Sequence, residues 1–573
     1  MKMLNKIVVL LLILVIGFAC TDDITREPLD TLSEAAFFRN AEDFSLFANN
    51  FYPTLPRWGY GDNQSDITRG SDFNQVSNGT NVVPNTSSFW NDSYTNLRSV
   101  NFLLEKFDEF PEEDKETIER YAGEALWFRA WYYFNLAKAY GGVPIVKRVL
   151  DIDSEELYAP RNTRAEVFTL IVEDLEKAVD YLPWHDQTPE EEYNRINKEG
   201  ALALLARVCL FEGTWQKHRG VNGSVYLQKA KDAAKSVMDK ANYKLWRHPE
   251  LGETWYADLF TLDGIQNNKL SLDKTSNEEF IVVRAHNPEF QAVPRGVWGD
   301  RVSNRLSPTK KLADMYLCVD GLPIDKSGLF QGYLERDSEY ENRDLRMISL
   351  FKIPGKQYWS VGALGRDWSV PDEELGDPET SGGFIHFEEN IFGGQTSTGY
   401  THRHAVPSNT AEVYGYNYPV IRYAEVLLTY AEATYELSDA ISDDDLDISL
   451  NLVRERVDMP KLTNAFVTSN ALDMRDEIRR ERTIEHAYEG FRFDDIRRWY
   501  TAHIELKQAM KGIVYKGTAW EDFMDLEGEF DGDGSLICED ESTRKFDKDK
   551  NYLFPLPINE LEINKNLEQN PNW

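Results

Sequence analysis

The chain has 573 residues, 97 Asp and Glu against 63 Lys and Arg, and a formal net charge of −34 at pH 7. That length is ample for a sizeable core and more than one domain, and so acidic a chain repels nucleic acid and anionic membrane surfaces. Its four cysteines, Cys20, Cys209, Cys318 and Cys538, lie far apart, so neither a disulfide framework nor a zinc site is implied.

The first element is a leader. Lys2 and Lys6 form a short basic start, and an apolar run of thirteen residues, Ile7 to Ala19, ends at Cys20. A helix that crosses a bilayer needs ~20 residues, so the run reads as an export signal rather than a span. A small residue directly before Cys20 resembles the lipobox of bacterial lipoproteins, although Gly17 stands where that pattern usually has Leu. The resemblance implies that Cys20 is lipidated and anchors the chain to a membrane. Residues 1–19 are then a signal peptide and 20–39 a polar tether. Asp22 and Asp23 resemble the short acidic export tag of Bacteroidetes surface lipoproteins.

Four helices are predicted next. GEALWFRAWYYFNLAKAYGGVP (Gly123 to Pro144) is apolar on nearly every side and should be buried, with Trp127 and Trp131 inside. Gly141, Gly142 and Pro144 should end it. In the following stretch Asn162 or Thr163 can cap a helix whose stripe is Val167, Leu170, Ile171, Leu175, Ala178 and Val179. KEGALALLARVCLFEGTW gives a third helix, which buries Cys209, and YLQKAKDAAKSVMDK a fourth. Helix pairs with small residues at their crossings resemble degenerate tetratricopeptide repeats. From about Leu245 to Pro419 Gly, Pro and Asn dominate, with short β-prone runs such as EEFIVVRAH. That composition predicts a loop-rich region with short strands.

Helices return at Tyr418 to Leu437, where Arg422, Glu425, Thr429, Glu432 and Glu436 are predicted to form one polar face. MRDEIRRERTIEHAYEG stops at Gly490, and FRFDDIRRWY follows as a new helix. Arg479, Arg480 and Arg482 with Glu481, Glu485 and Glu489 are expected to be a solvated or ion-paired face that carries little chemistry. GEALWFRAWYYFNLAKAYGGVPIV, PVIRYAEVLLTYAEATYE, RRERTIEHAYEGFRFDDIRRW and LFPLPINELEINKNLEQNPNW together resemble the characteristic segments of the SusD/RagB family, in family order. The resemblance implies a mainly α fold of tetratricopeptide-like helix pairs with a variable region packed on it. It also implies a surface lipoprotein of the outer membrane that binds a nutrient, usually a glycan, beside a SusC-like TonB-dependent transporter. The expected division is 40–244 helical, 245–417 loop-rich and 418–573 helical with a tail, all in one unit.

Ligand residues are expected in glycine-rich loops, where an aromatic ring can cover the apolar face of a sugar and polar groups can bond its hydroxyl rim. Arg57 to Gln64 offers Trp58, Tyr60, Asp62 and Asn63. Val293 to Arg305 offers Trp298, Asp300, Arg301 and Asn304. Pro354 to Trp368 offers Tyr358, Trp359, Arg366 and Trp368. The His402–His404 pair reads as solvated. Glu529 to Asp540 resembles a calcium loop in its acidic spacing, but begins with Glu and ends with Asp, so calcium is the minor reading beside a plain acidic turn. No cofactor is called for, and no nucleophile elbow, zinc-protease motif or phosphate loop is present. The leading reading is therefore non-catalytic glycan binding. A surface glycan hydrolase and a scaffold that binds only protein are the alternatives.

Overall fold

The computed structural model describes residues 38–573 apart from 60, 71, 254, 264–267, 269, 295–305, 355–356, 361–383, 387–396, 407–412 and 524, and gives only the backbone of 294, 357–360, 384–386 and 413. Cys20 and the leader lie outside the described residues.

The fold is mainly α. Helices α1 (Ala41–Ala48), α2 (Ser88–Glu109), α3 (Glu119–Tyr140), α4 (Arg164–Tyr181), α5 (Lys198–Lys217) and α6 (Ser224–Lys240) form the first half. Local chemistry sets their ends. Thr163 and Glu166 make a reciprocal capping box at α4, and the Asn197 side chain accepts the Gly200 N–H at α5. Gly141, at φ +77°, ends α3. Each of α3 to α6 packs on the helix before it. The α5–α6 turn needs glycine at both sides of its closest approach, because a Cβ on Gly223 would stand 2.1 Å from the Gly213 carbonyl oxygen. Helix α3 is buried almost all round, as its composition predicts, and the Trp127 indole N–H donates to the Gly200 carbonyl at 3.0 Å.

The loop-rich part follows, with the short helices α7 (Lys310–Met315) and α8 (Leu345–Leu350). Its strands make two-stranded antiparallel ladders. β1 (Thr68–Gly70) pairs with β4 (Leu306–Pro308), β2 (Phe280–Arg284) with β8 (Tyr418–Arg422), and β3 (Val293–Pro294) with β7 (Val413–Tyr414). β5 (Gln357–Ser360) pairs with β6 (Phe384–His386), and β9 (Met510–Val514) with β10 (Ser535–Glu539). The chain then returns to the helical layer as α9 (Tyr423–Ser438), α10 (Leu450–Arg456), α11 (Met474–Glu485) and α12 (Arg492–Arg498). Helix α9 packs on α6, α11 on α9, and α12 on α5.

Two hydrophobic cores result. One joins the early helices to the late ones. The other gathers Trp246, Trp255, Tyr256, Phe260, Tyr316, Phe351, Tyr400 and Tyr414 under the loop-rich part, with Ile484, Ala487 and Tyr488 entering from α11 and its exit turn. One helical expectation is corrected here, and another gains its setting. Tyr418 to Leu437 is not one helix, since residues 418–422 are strand β8 and the helix begins at Tyr423. Its polar residues, predicted as one polar face, are turned inward: Arg422, Glu425, Thr429, Glu432 and Glu436 are all buried. Glu425 pairs with Arg207 at 2.5 Å and Glu432 with Arg498 at 2.5 Å.

Candidate functional site

The strand ladders root several loops at one corner. In β1–β4, Gly70 stands opposite Leu306, the residue that follows 295–305. In β3–β7, Pro294, which precedes 295–305, stands opposite Val413, which follows 407–412. The Ser397 hydroxyl, directly after 387–396, donates to the Gly70 carbonyl at 3.1 Å. The next residue, Thr398, donates to the Pro308 carbonyl at 2.6 Å and accepts the Ile513 N–H at 2.9 Å. Gly70 and β4 are thus a stem that brings together the chain that follows Trp58 to Asn63, the end of 295–305, which carries Trp298 to Arg301, and the residue that follows 387–396. Beside that stem, Phe73 is 58% exposed with the Arg69 guanidinium 5.3 Å from its ring centroid. A ring and a rim group in a Gly–Ser–Asp loop repeat the residue pattern of the other loops, and that signal in TRGSDFN could have identified both.

The predicted site residues separate into two kinds. Tyr60, Trp298, Asp300, Arg301, Asn304, Arg366 and Trp368 lie outside the described residues, as do the side chains of Tyr358 and Trp359 on β5. Trp58 and Asp62 are described, and both are structural. Trp58 is 4% exposed and packs edge-on against Tyr418, Tyr416 and His404, with centroids 4.9, 5.7 and 5.8 Å away, so neither ring face is open to a sugar. Asp62 is buried and accepts the Tyr488 and Arg492 amides at 2.8 and 3.0 Å, holding the turn between α11 and α12. Burial raises its pKa to about 7 against the lowering effect of those amide bonds. Gly61 allows the approach: a Cβ there would meet the Tyr488 carbonyl oxygen at 2.1 Å. Only Asn63 of this group keeps partial exposure.

Of the two readings of the Arg–Glu residues of α11, solvated or ion-paired, the structure shows the ion-paired one, and it is largely buried. Arg422 contacts Glu485, Glu489 and Glu279 at 2.5, 2.6 and 2.8 Å, and Arg346 contacts Glu481 and Asp344 at 2.7 Å and Glu485 at 3.0 Å. Arg456 joins Glu279 and Glu485, and Arg454 joins Glu481. Glu481, Glu485 and these four arginines are buried, and Arg482 is buried against Asp495; Arg479 and Arg480 keep partial exposure. Burial pushes the Glu485 carboxyl upward, but Arg456, Arg422 and Arg346 together outweigh it and hold the group well below the carboxylate range. His402 and His404 are also buried, not solvated. The His402 ring stacks on Tyr488 at 4.3 Å, and the His404 ring lies 4.3 Å from Phe260. Glu529 to Asp540 folds as the plain acidic turn expected of it and runs into β10. Lys511 pairs with Asp531, Arg544 with Glu539, and Asp533 caps the turn by accepting the Ser535 N–H at 2.9 Å. No cluster of three or more metal-ligating side chains occurs among the described residues.

Comparison with known proteins fits this arrangement. The SusD family model matches residues 265–573, and a second model, described as starch-binding associating with outer membrane, matches residues 53–210. The SusD-like protein P2 of Formosa agariphila is 22% identical over 99% of both chains, and a SusD-like protein of Bacteroides ovatus is 24% identical over 74% of this chain and 67% of its own. A crystal structure of a SusD-like carbohydrate binding protein from Bacteroides fragilis superposes with a TM-score of 0.72 at 23% identity, covering 93% of this chain and all of that one. A SusD superfamily protein from Parabacteroides distasonis gives 0.61 at 20% identity, covering 93% of this chain and 99% of its own. With more than half of its length matched by that family's model and the same helical architecture throughout, the chain belongs to the SusD family.

Proposed function

We propose that this protein is a non-catalytic, lipid-anchored binder of oligo- or polysaccharide at the cell surface, which passes its cargo to a SusC-like TonB-dependent outer-membrane transporter. The observation that carries the reading is the common stem at Gly70 and β4. The chain that holds Tyr60 and Asn63 runs into it, 295–305 with Trp298, Asp300 and Arg301 ends at it, and exposed Phe73 with Arg69 stands beside it; Trp368 joins the proposed set on its residue pattern. Rings and hydrogen-bonding side chains rooted together suit a ligand with apolar faces and a hydroxyl rim. Tyr358 and Trp359 on β5 complete the proposed set. The SusD-like carbohydrate binding protein of Bacteroides fragilis and the second matching family, starch-binding associating with outer membrane, support the ligand class. Anchoring through Cys20 supports the location.

The test is a glycan panel on the full chain, purified from detergent-solubilised membranes, with Trp298→Ala, Trp359→Ala and Trp368→Ala alongside. At least one variant should lose about thirtyfold in affinity for the bound glycan, the equivalent of ~2 kcal/mol, at an unchanged melting temperature. Wild-type affinity in all three removes the loop site from the reading. Reducing ends released from the glycan would point to the hydrolase alternative.

A further inference from the structure

A groove of about 490 Å³, lined by none of Arg69, Gly70, Phe73 or β4, lies on the seam between the two cores. That size falls within the ~300–1,000 Å³ usual for small-molecule sites. One wall comes from the α4–α5 connection and the exit of α6, the other from the run into β2 and the approach to β8.

The helical wall is a tile of rings. His185 lies between Tyr193 and Tyr243, with centroids 4.6 and 5.0 Å away. The tile is held from below. Buried Glu199, in the first turn of α5, accepts the His185 N–H at 2.9 Å and the Asn242 amide at 2.5 Å, and the Tyr243 hydroxyl accepts the Asn197 amide at 2.9 Å. Tyr193 at its outer end is 46% exposed. Burial holds the His185 pKa below its ordinary value, so the ring is neutral at pH 7.

The facing wall presents Phe280, half-buried, and a row of amides. The carboxamide oxygens of Asn277 and Asn417 are already engaged by backbone N–H groups at 2.9 and 3.0 Å, which turns their NH₂ groups toward other acceptors. Among the described residues, neither those NH₂ groups nor the exposed Asn194 side chain has a hydrogen-bond partner. Lys274 is held by the carbonyls of His286 and Gly415, at 2.7 and 3.4 Å, with the Asp263 and Asp273 carboxylates in electrostatic reach.

The lining decides the ligand class. Its charges are one lysine against Glu190 and Glu278, so a polyanion gains nothing here. A purely apolar ligand would bury the Asn277 and Asn417 NH₂ groups without partners, at a cost of about 1–3 kcal/mol for each. Rings on opposite walls with amide donors between them fit a ligand that is apolar on its faces and hydroxylated at its edge. We infer that this groove is a second carbohydrate subsite, specific for a neutral saccharide, with Tyr193 as its stacking platform and Asn194, Asn277 and Asn417 as its rim donors. The inference is independent of the loop site.

Hydrogen–deuterium exchange on the full chain tests it, with maltohexaose, cellohexaose and mannohexaose as neutral probes at millimolar concentration and a hexagalacturonate as the acidic probe. At least one neutral probe should protect residues 185–194 and 274–281. It should do so equally in the triple variant Trp298→Ala, Trp359→Ala, Trp368→Ala, which separates the groove from the loop site. Tyr193→Ala and Asn194→Ala change exposed side chains and should fold normally. Tyr193→Ala should raise the half-protecting concentration at least about tenfold. The inference is overturned if no neutral probe protects either segment, if Tyr193→Ala leaves the half-protecting concentration unchanged, if protection disappears in the triple loop variant, or if the acidic probe protects as well as the neutral ones.

Discussion

At the junction of α11 with β8, Glu485 is fully buried with Arg422 2.5 Å away and with Arg456 and Arg346 also in contact. In the loop-rich core Glu339 is equally buried, but its nearest side-chain partner is the Tyr400 hydroxyl at 2.9 Å. Burial opposes charge in both places. In the first, three guanidiniums outweigh it and keep the carboxylate charged; in the second, burial wins and raises the pKa to about 7. The two parts of the molecule thus hold together differently. The helical seam fixes its register by directional ion pairs between residues far apart in sequence. The loop-rich core is a collection of aromatic rings on short ladders, with single polar groups held inside it. Segments that resemble the family most strongly, around residues 418–436 and 479–499, supply the seam and so serve the scaffold rather than the ligand.

The largest expected effect breaks the seam. Arg422→Ala would leave Glu279, Glu485 and Glu489 short of a shared cation, and Glu485→Gln would leave three buried arginines undercompensated. Removing one partner of a buried pair costs about 3–5 kcal/mol. Both variants should therefore show a large fall in the urea midpoint at pH 7, or yield no folded protein. A change below about 1 kcal/mol would mean that the seam is hydrated and the contrast between the two parts is false.

Next in size is Trp58→Ala, which probes the loop-rich core. Its ring is enclosed by Tyr416, Tyr418 and His404, so truncation should cost about 3 kcal/mol as a core deletion does. A drop in melting temperature is expected in the absence of any glycan, in contrast to Trp298, Trp359 and Trp368. An unchanged melting temperature together with lost glycan binding would return Trp58 to the ligand site.

A smaller effect sharpens the comparison by its sign. Glu339 has a folded pKa raised to about 7 from 4.5, so the fold binds its proton more tightly than the unfolded chain does. Its stabilising contribution is present below pH 4.5 and is lost as the pH rises through 7. Glu339→Gln keeps an acceptor for Tyr400 and removes the charge. It should gain about 1–3 kcal/mol over the parent at pH 8 and almost nothing at pH 4. Glu485 runs the other way, because its depressed pKa gives stability above the unfolded value that is lost on acidification. Urea melts at the two pH values decide between these signs, and a Glu339→Gln variant less stable than the parent at pH 8 contradicts the account.

Much of the helical half was legible in the sequence because its signals are local. The all-round apolar run of α3, the Thr163 cap and the glycines after Tyr140 each specify one feature within a few residues. Helix α2 was missed, since Ser, Asn, Asp and Thr dilute the apolar stripe of Trp90, Leu97, Val100, Leu103 and Phe107. The Arg–Glu stretch was legible as charged and pairable but not as buried, for a different reason. Composition shows charge but not what faces it, and the partners of Glu485 lie 29, 63 and 139 residues away. Trp58 illustrates the same limit at the site. A ring among glycines reads alike whether it points out to a ligand or in to Tyr416 and Tyr418, and only the fold separates the two.

The smallest effect is the control for the largest. Arg148 donates to Glu156 through Nη2 at 2.7 Å and Nε at 3.0 Å, a geometry as close as that of Arg422 with Glu489. The difference is water: the side chains of Arg148 and Glu156 are 50% and 49% exposed, whereas those of Arg422 and Glu489 are 1% and 4% exposed. In water each charge is solvated before and after the pair breaks, salt screens the attraction, and fixing two long side chains has an entropic cost. Arg148→Ala should therefore leave the urea midpoint where it is, at low and high salt alike. A clear loss in this variant would show that contact geometry, rather than burial, sets the strength of the ion pairs in this protein. The contrast drawn between seam and surface would then have to be given up.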